Sequence, residues 1–417
     1  MISPIRPYDR DRDLAAAERI WREVSWITSD DEAAPLPEYL DSAHAEVADV
    51  EGSAECLVLW HDGTIQYQDT DLPLCAVTAV TTSRLGRKRR FATTLTARAV
   101  ASGAESRAAV AALGMFEQGF YDRIGFGTGP YTVRATLDPR SLRVEHVPYR
   151  QPVRLSEDDH EDMHRALLTR RAHHGRVTLA APEIMRAELR WVDKPFGLGY
   201  RDDTGRLSHF VYGSADDEHG PYRIRFMGYE HDGQLLELLR LLRELGDQVA
   251  TVVLDEPPGV QLQDLVATPL RDRLRTTGST HATGTVALAW MQLRILDLEA
   301  CIGARRWSGP EVAFDLRLHD PVAALVDGDD ADWPADGWRG VGGDHHVVIG
   351  APSTVTPGMG GGVPVLTASI GAFSRCWFGV RPATGLALTD DLDGPPELLR
   401  QLDEALALPP PFPGWDF

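Results

Sequence analysis

The stretch Val80–Leu95, VTTSRLGRKRRFATTL, decides how this sequence is interpreted. It follows a run rich in β-branched residues, PLCAVTAVTT (73–82), and leads into ATTLTARAVASGA (92–104), which has a helical composition. A loop between a strand and a helix presents backbone N–H groups at the helix N-terminus, where hydrogen bonds and the helix dipole favour a phosphate. The four basic residues 87–90 add charged donors. A solvated basic turn or a nucleic-acid patch is as consistent with this composition as an anion site.

The chain on either side of this stretch alternates strands and helices. AAVAALGMF (108–116) has the pattern of a buried strand, and a short helix with a glycine turn follows it. A second alternating run begins near Val153 and lacks a matching basic turn, and a third begins near ALAWMQLRILDLEACIGARRW (287–307). The order predicts an α/β (α+β) protein, and 417 residues are enough for two or three domains.

The composition is that of an acidic globular protein. Hydrophobic residues make up 43% and charged residues 25% of the chain, which argues against wholesale disorder. The net charge of −20 argues against nucleic-acid binding, which needs a basic surface. It fits a protein that is simply soluble, or one whose clefts attract cations.

The cysteines and the N-terminus predict a cytoplasmic protein. Four cysteines are scattered along the chain without a CxxC pair, three of them in apolar surroundings, so they resemble reduced core residues. The opening MISPIRPYDRDRD has no apolar segment of the kind that a signal peptide contains. No apolar run approaches the ~20 residues of a membrane span.

A second stretch, GMFEQGFYDRIGFG (114–127), contains a candidate acid. Tyr121 has an ordinary pKa of about 10, which suits a phenol that protonates a departing thiolate. Because Tyr121 lies between Phe120 and Ile124, a packed tyrosine with a satisfied hydroxyl is the alternative, and the residue alone favours it.

Together, at this order and separation, the two stretches resemble the multidomain branch of the GNAT acetyltransferase superfamily, the enhanced intracellular survival (Eis) family. That family has an RRxG loop after its fourth strand and then a segment ending in a tyrosine and a glycine turn. The resemblance spans the chain: it includes RPYDRDRDLAAAERIW (6–21), WMQLRILDLEACIGARRW (290–307), LTASIGAFSRCWFGVRPATGLAL (366–388) and the aromatic C-terminus. It implies two tandem GNAT-like domains and a sterol-carrier-like C-terminal domain.

The resemblance also implies roles for individual residues. Backbone groups of the fourth strand would bind the pantetheine arm of acetyl-CoA and polarise the thioester carbonyl, the loop would hold the pyrophosphate, and Tyr121 would be the general acid. The implied cofactor-binding residues are Val80, Thr82, Arg87, Lys88, Arg90, Phe116 and Glu117. Two of them depart from the family pattern: Arg90 replaces a loop glycine that lets the backbone approach the phosphates, and Phe116 replaces a small polar residue.

The last nine residues, PPPFPGWDF (409–417), are stiff and aromatic. In the family that this chain resembles, the C-terminal carboxylate is taken to act as the base for the attacking amine, which implies that role for the α-carboxylate of Phe417. Asp416 would add negative charge for a cationic acceptor, and we expect Asp30 and Asp31 to lie in the acceptor cleft. A purely structural anchor is the alternative role of this segment.

One further pattern, H160-E-D-M-H164, matches the HExxH signature of zinc metalloproteases. Four acidic residues crowd this helix start and no third ligand follows at a suitable spacing, so a solvated acidic face is the preferred interpretation. We therefore predict no metal site.

The sequence as a whole predicts an N-acetyltransferase that uses acetyl-CoA and a cationic acceptor amine: an aminoglycoside, a polyamine or a lysine-like amine. Expected domains are a catalytic domain at 1–148, a non-catalytic GNAT-like domain at 149–284 and a sterol-carrier-like domain at 285–417. The resemblance implies a homohexamer and neither nucleic-acid nor membrane partners. A degenerate protein that only binds a ligand or partner is the alternative.

Overall fold

The computed structural model describes residues 5–267, 278–326 and 333–417. Its strands are β1 (Ile5–Pro7), β2 (His44–Val50), β3 (Ser53–Tyr67), β4 (Thr70–Thr82), β5 (Val110–Gly114), β6 (Gly127–Thr128), β7 (Thr132–Leu137), β8 (Val153–Arg154), β9 (Val177–Leu179), β10 (Pro195–Arg201), β11 (Leu207–Ala215), β12 (Tyr222–Gly228), β13 (Val252–Asp255), β14 (Gly284–Leu288), β15 (Met291–Ile295), β16 (Val312–His319), β17 (Gly343–Ile349), β18 (Thr354–Pro357), β19 (Val365–Ser369) and β20 (Leu392–Asp393).

The α-helices are α1 (Arg10–Glu23), α2 (Asp30–Ala33), α3 (Leu36–Asp41), α4 (Phe91–Glu105), α5 (His160–Leu168), α6 (Pro182–Arg190), α7 (Asp232–Glu244), α8 (Leu298–Gly303), α9 (Val322–Val326), α10 (Ile370–Trp377), α11 (Ala383–Thr389) and α12 (Pro396–Ala405). A short 3-10 helix covers Tyr121–Ile124. The strand and helix predicted on the two sides of the basic loop are confirmed as β4 and α4, and the chain is a mixed α/β protein.

The contacts divide the chain into two units. Unit 1 combines Met1–Pro130, His174–Ala181 and Trp290–Phe417, and unit 2 combines Tyr131–His173 with Pro182–Ala289. These limits differ from the predicted boundaries at 148 and 284, because β7 pairs within the sheet of unit 2 and β15 pairs within a sheet of unit 1. The assignment of three domains by fold stays a prediction.

The main sheet of unit 1 has the strand order β1–β2–β3–β4–β5–β15–β6, with β9 beside β3. Strands β4 and β5 are parallel, and α4 connects them. Helix α4 packs closely on this sheet: a methyl group added to Gly103 would lie 2.6 Å from the Cys75 sulfur. Alanines and valines of α4, β4 and β5 form much of the core.

A second sheet in unit 1 has the order β18–β17–β16–β19–β20, with β16 and β19 parallel. In unit 2 the order is β14–β7–β13–β12–β11–β10–β8, and β12 and β13 are its parallel pair. Leucines of α7 fill the core of unit 2. Among the described residues, no helix combines the length and apolar character that crossing a bilayer requires.

Candidate active site

Strand β4 separates from its neighbour just before the basic loop. Its parallel pairing with β5 ends at Val77, whereas β4 itself continues to Thr82. On the other side, the register with β3 shifts after Thr78, where Ala79 has a positive φ of 51°. This irregularity is a β-bulge, a device that redirects a strand. As a result, the last part of β4, including the backbone of Val80, runs beside no paired partner in β5.

The first half of the loop after β4 is fixed by the fully buried Ser83. Its N–H donates to the carbonyl of Glu55 (2.9 Å), and its hydroxyl accepts from the N–H groups of Leu85 and Gly86 (3.1 Å each). A side chain at Gly86 would lie 2.7 Å from the Glu55 carbonyl oxygen, so glycine is required by this close approach. The loop therefore leaves β4 in a defined conformation.

The second half of the loop and the start of α4 carry a run of available donors. None of the backbone N–H groups of residues 87–93 donates a hydrogen bond to another described residue. The side chains of Arg87, Lys88, Arg89 and Arg90 are all exposed. Free N–H groups, a helix N-terminus and four cations together form a site that is suited to an anion such as a pyrophosphate.

Arg90 has a backbone conformation that favours glycine. Its φ is 63°, in the left-handed region, and Lys88 has a φ of 62°. Arg90 is the N-cap of α4 and makes no side-chain capping bond. The left-handed conformation therefore carries a conformational cost at Arg90, because this residue has a Cβ.

Tyr121 begins the short 3-10 helix after β5 and is only 2% exposed. Its ring packs edge-on against Phe120 (centroids 4.9 Å apart) and Phe116 (6.0 Å). Burial raises the pKa of Tyr121 above its ordinary value. The hydroxyl donates to no described residue, so no hydrogen bond to these residues uses its proton. Phe116 is 68% exposed beside this ring, and Glu117 is exposed as well.

The C-terminal segment is bound along β9 and the turn before it. The N–H of Phe412 donates to the carbonyl of His174 (3.1 Å), and the N–H of Val177 donates to the carbonyl of Pro413 (3.0 Å). A side chain on Gly175 would lie 2.4 Å from Pro411, so the proline backbone packs directly on this glycine. The segment is thus docked on unit 1.

The end of this segment lies at the end of β5. A methyl group added to Gly114 would lie 3.5 Å from the main-chain oxygen of Phe417 and 3.7 Å from the ring of Trp290. Trp415 is buried and Asp416 is exposed. The last residue is therefore next to the strand end from which the Tyr121 segment departs.

The acidic residues expected in an acceptor cleft lie in α2. Ser29 caps this helix, with Asp30 and Asp31 in its first turn. Both side chains are exposed, and Asp30 pairs with Arg22 (2.8 Å). Among the described residues, no hydrogen bond or ion pair joins either aspartate to Tyr121 or Phe417.

The HExxH pattern lies at the start of α5, as its spacing predicts. His164 is buried, whereas a ring nitrogen of His160 is 3.1 Å from the Glu157 carbonyl oxygen. Within the described ranges, no group of three or more His, Cys, Asp or Glu side chains is arranged to hold a metal ion.

The sequence reasoning missed residues that hold these elements. The hydroxyl of Ser83, three residues before Gly86, could have been identified from its turn-forming spacing. Gln292 and Arg294 lie in β15 and contact the Tyr121 turn, as described below. The signal for them was present: two polar residues in an otherwise apolar strand, WMQLRIL.

Comparison with known proteins identifies the fold. No family model and no curated protein matches this sequence. Solved structures match over nearly the whole chain. A GCN5-related N-acetyltransferase from Kribbella flavida is 16% identical, with a TM-score of 0.72 over 100% of this chain and 99% of its own. Eis1 from Mycobacterium abscessus is 19% identical, with a TM-score of 0.75 over 99% and 100%.

A conserved protein from Enterococcus faecalis, described as a probable N-acyltransferase, is similar to the same degree. It is 16% identical, with a TM-score of 0.75, and 97% of each chain is covered. The predicted resemblance to Eis-type GNAT proteins is therefore confirmed as a resemblance of fold along the chain. At these identities the likeness concerns the fold, and the chemistry has to be argued from the site.

Proposed function

We propose that this protein is a GNAT-type N-acetyltransferase that moves an acetyl group from acetyl-CoA to a primary amine of a cationic acceptor. One observation carries the proposal: the N–H groups of residues 87–93, at the start of α4, donate to no described residue, and they follow the part of β4 that is no longer paired with β5. The pyrophosphate of acetyl-CoA fits this donor set, with Arg87, Lys88 and Arg90 as cations. The pantetheine arm would lie along Val80 and Thr82.

In this proposal the chemistry is a direct transfer. The amine nitrogen attacks the thioester carbonyl, the new C–N bond forms and the C–S bond breaks. A backbone N–H from the last part of β4, beyond its pairing with β5, stabilises the developing oxyanion. Tyr121 gives its proton to the departing thiolate. The residue is only 2% exposed and its hydroxyl donates to no described residue, which supports that role. Phe116 and Glu117 border the same segment.

A protonated amine cannot attack, so the reaction needs a group that accepts its proton. We assign this role to the α-carboxylate of Phe417, acting directly or through a water molecule. The docked segment and the position of Phe417 beside Gly114 support the assignment. Asp416, Asp30 and Asp31 are proposed to attract the cationic acceptor, since all three are exposed in an acidic chain.

Several parts of the sequence interpretation stay predictions. They are the non-catalytic role of the second GNAT-like domain, the sterol-carrier-like character of the C-terminal part, the homohexamer and the cytoplasmic location. The acceptor class (aminoglycoside, polyamine or lysine-like amine) is also a prediction from charge and resemblance.

The test of the proposed function is a thiol-release assay with acetyl-CoA and a panel of cationic amines, alongside a titration of acetyl-CoA binding. Tyr121→Phe should lower kcat by about 100-fold and leave the acetyl-CoA Kd unchanged. Tyr149→Phe, at an exposed position of unit 2, is the matched control and should be neutral. Binding without turnover of any amine would favour the alternative, a ligand-binding protein with a degenerate site.

The pH profile adds a second readout for Tyr121. Because burial raises its pKa, the phenol keeps its proton past pH 10, where an ordinary tyrosine would lose it. Activity should therefore fall only above this pH, as the folded protein loses the proton. A fall in kcat centred below pH 10 that disappears in Tyr121→Phe would contradict the raised pKa.

A C-terminal extension tests the proposed base. The test first requires that mass spectrometry of the intact protein shows a chain ending at Phe417. Two added glycines move the carboxylate away while leaving the Phe412 and Pro413 hydrogen bonds in place, so kcat should fall at least about tenfold with little change in Tm. Full activity of the extended protein would assign the segment a structural role.

A further inference from the structure

Strand β15 reaches the Tyr121 turn from a distant part of the sequence. It lies between β5 and β6 in the main sheet of unit 1, antiparallel to both. Gln292 is opposite Leu113 on one side and Thr128 on the other. The 3-10 helix that starts with Tyr121 lies in the connection between β5 and β6. Both ends of this connection are therefore held against β15.

Gln292 contacts the turn through a side chain that is fully buried. Its Nε2 donates to Oδ1 of Asp122 (2.7 Å) and lies 3.2 Å from the hydroxyl of Thr128. Asp122 is the residue directly after Tyr121. The carboxylate requires a donor here, which fixes the orientation of the Gln292 amide.

Arg294 holds the other end of the turn. Its guanidinium is fully buried, donates to the carbonyl of Ile124 and pairs with Asp320 (2.6 Å). Asp320 is itself held by the N–H groups of Val322 (3.1 Å) and Val341 (3.0 Å). Both partners of this buried ion pair are hydrogen-bonded, which gives the turn a directional support, although Nε of Arg294 has no partner among the described residues.

The backbone at the end of the turn packs closely on this support. Gly125 follows it with a φ of 86°, and a methyl group there would lie 2.6 Å from Ile370 and 3.0 Å from Nη1 of Arg294. The phenol of Tyr121 makes no hydrogen bond to a described residue that could orient it. Its direction is therefore set by ring packing and by the backbone that β15 holds.

We infer that Gln292 and Arg294 are positioning residues for Tyr121, and that β15 fixes the acid's location through the Asp122 side chain and the Ile124 carbonyl. The inference rests on the proposed function and adds to it two residues from the C-terminal third of the chain. A displaced acid loses catalytic efficiency even when the cofactor is bound normally.

The test uses Gln292→Leu, which removes the amide donor with a similar volume. Arg294 is less suitable as the primary variant, since its loss leaves Asp320 buried and unpaired. We expect kcat to fall about tenfold and the acetyl-CoA Kd to stay within twofold. In a Tyr121→Phe background, Gln292→Leu should cause no further loss, because the group that it positions is gone.

A conservative variant separates position from charge. Asp122→Asn retains an oxygen that can accept from Gln292, and should keep most of the activity. In one outcome, Gln292→Leu lowers kcat by the same factor in the wild type and in Tyr121→Phe. That result would overturn the inference, since it would show that Gln292 acts independently of Tyr121. A loss confined to KM would overturn it as well.

Hydrogen exchange provides a readout that does not depend on turnover. In Gln292→Leu the amides of Gly125 and Phe126, which bond to Asp122 and Tyr121 carbonyls, should exchange faster than in the wild type. Unchanged exchange would overturn the inference whatever the activity. Faster exchange in a protein that turns over no amine would contradict the proposed function. It would still agree with the inference that Gln292 supports the turn.

Discussion

Two helices of this molecule start in the same topological place and differ in what they can bind. Helix α4 in unit 1 and helix α7 in unit 2 each connect a pair of parallel strands, β4–β5 and β12–β13. In both units the first strand of the pair continues past the last paired residue and has a register irregularity against its other neighbour. The local framework is therefore repeated.

The two helix starts differ in how many backbone donors are satisfied, although the N–H groups of residues 231–233 also donate to no described residue. Before α7 the turn is short and acidic: the N–H of Glu230 donates to the Gln234 side chain (2.6 Å), and His231 accepts from the Gln234 N–H (3.4 Å). His231 has an extended φ of −149°. Before α4, the N–H groups of residues 87–93 have no such partner within the described part of the chain, and Arg90 is left-handed. We therefore expect an anion site to require the longer run of unsatisfied donors and the cations before α4, in addition to the strand–helix framework that both units share.

The largest effect should come from reversing one charge at the first helix start. Arg87→Glu replaces the donor that we propose for the pyrophosphate with a repelling carboxylate, and charge-assisted hydrogen bonds are worth about 1.5–3 kcal/mol. The acetyl-CoA Kd, measured by calorimetry, should rise about 10- to 100-fold. Arg154→Glu makes the same charge change on the exposed β8 of unit 2 and should leave the Kd unchanged. Equal weakening by both would mean that net charge, rather than the α4 start, attracts the cofactor.

A smaller effect tests the backbone conformation of the two N-cap residues, Arg90 of α4 and His231 of α7. Arg90→Gly removes a Cβ from a left-handed position and should raise the free energy of unfolding by about 1 kcal/mol, which is the balance of relieved strain against the greater freedom of glycine in the unfolded chain. The corresponding His231→Gly substitution, at an extended position, should lower it. Denaturant unfolding of both variants gives the comparison. Stabilisation by glycine at both positions, or at neither, would contradict the conformational difference between the two caps.

The smallest effect concerns the cap of α7 itself. His231→Ala removes a long hydrogen bond to the Gln234 N–H, so the free energy of unfolding should fall by about 0.5 kcal/mol. The acetyl-CoA Kd should not change, because α7 is not proposed to hold the cofactor. Thermal unfolding with and without acetyl-CoA measures both quantities. A change in Kd would assign unit 2 a part in cofactor binding.

The sequence by itself determined the local features of the site. β-branched residues specified β4, alanines specified α4, and the basic run between them indicated where an anion could bind, because strand, loop and helix signals act over a few residues. The chemistry of a phenol made Tyr121 a candidate acid, and the resemblance added its role and that of the C-terminal segment. Their order along the chain was readable without any contact being known.

Only the tertiary structure decided what surrounds these features. That Arg90 would adopt the glycine conformation, that Phe417 would lie at Gly114, and that Gln292 and Arg294 would support the Tyr121 turn all depend on strand pairing between distant segments. Gln292 and Asp122 are 170 residues apart in sequence. The placement of β15 between β5 and β6 also moves part of the C-terminal third into the first sheet. Such long-range pairing is selected by burial of whole faces and leaves little trace in any short stretch of sequence.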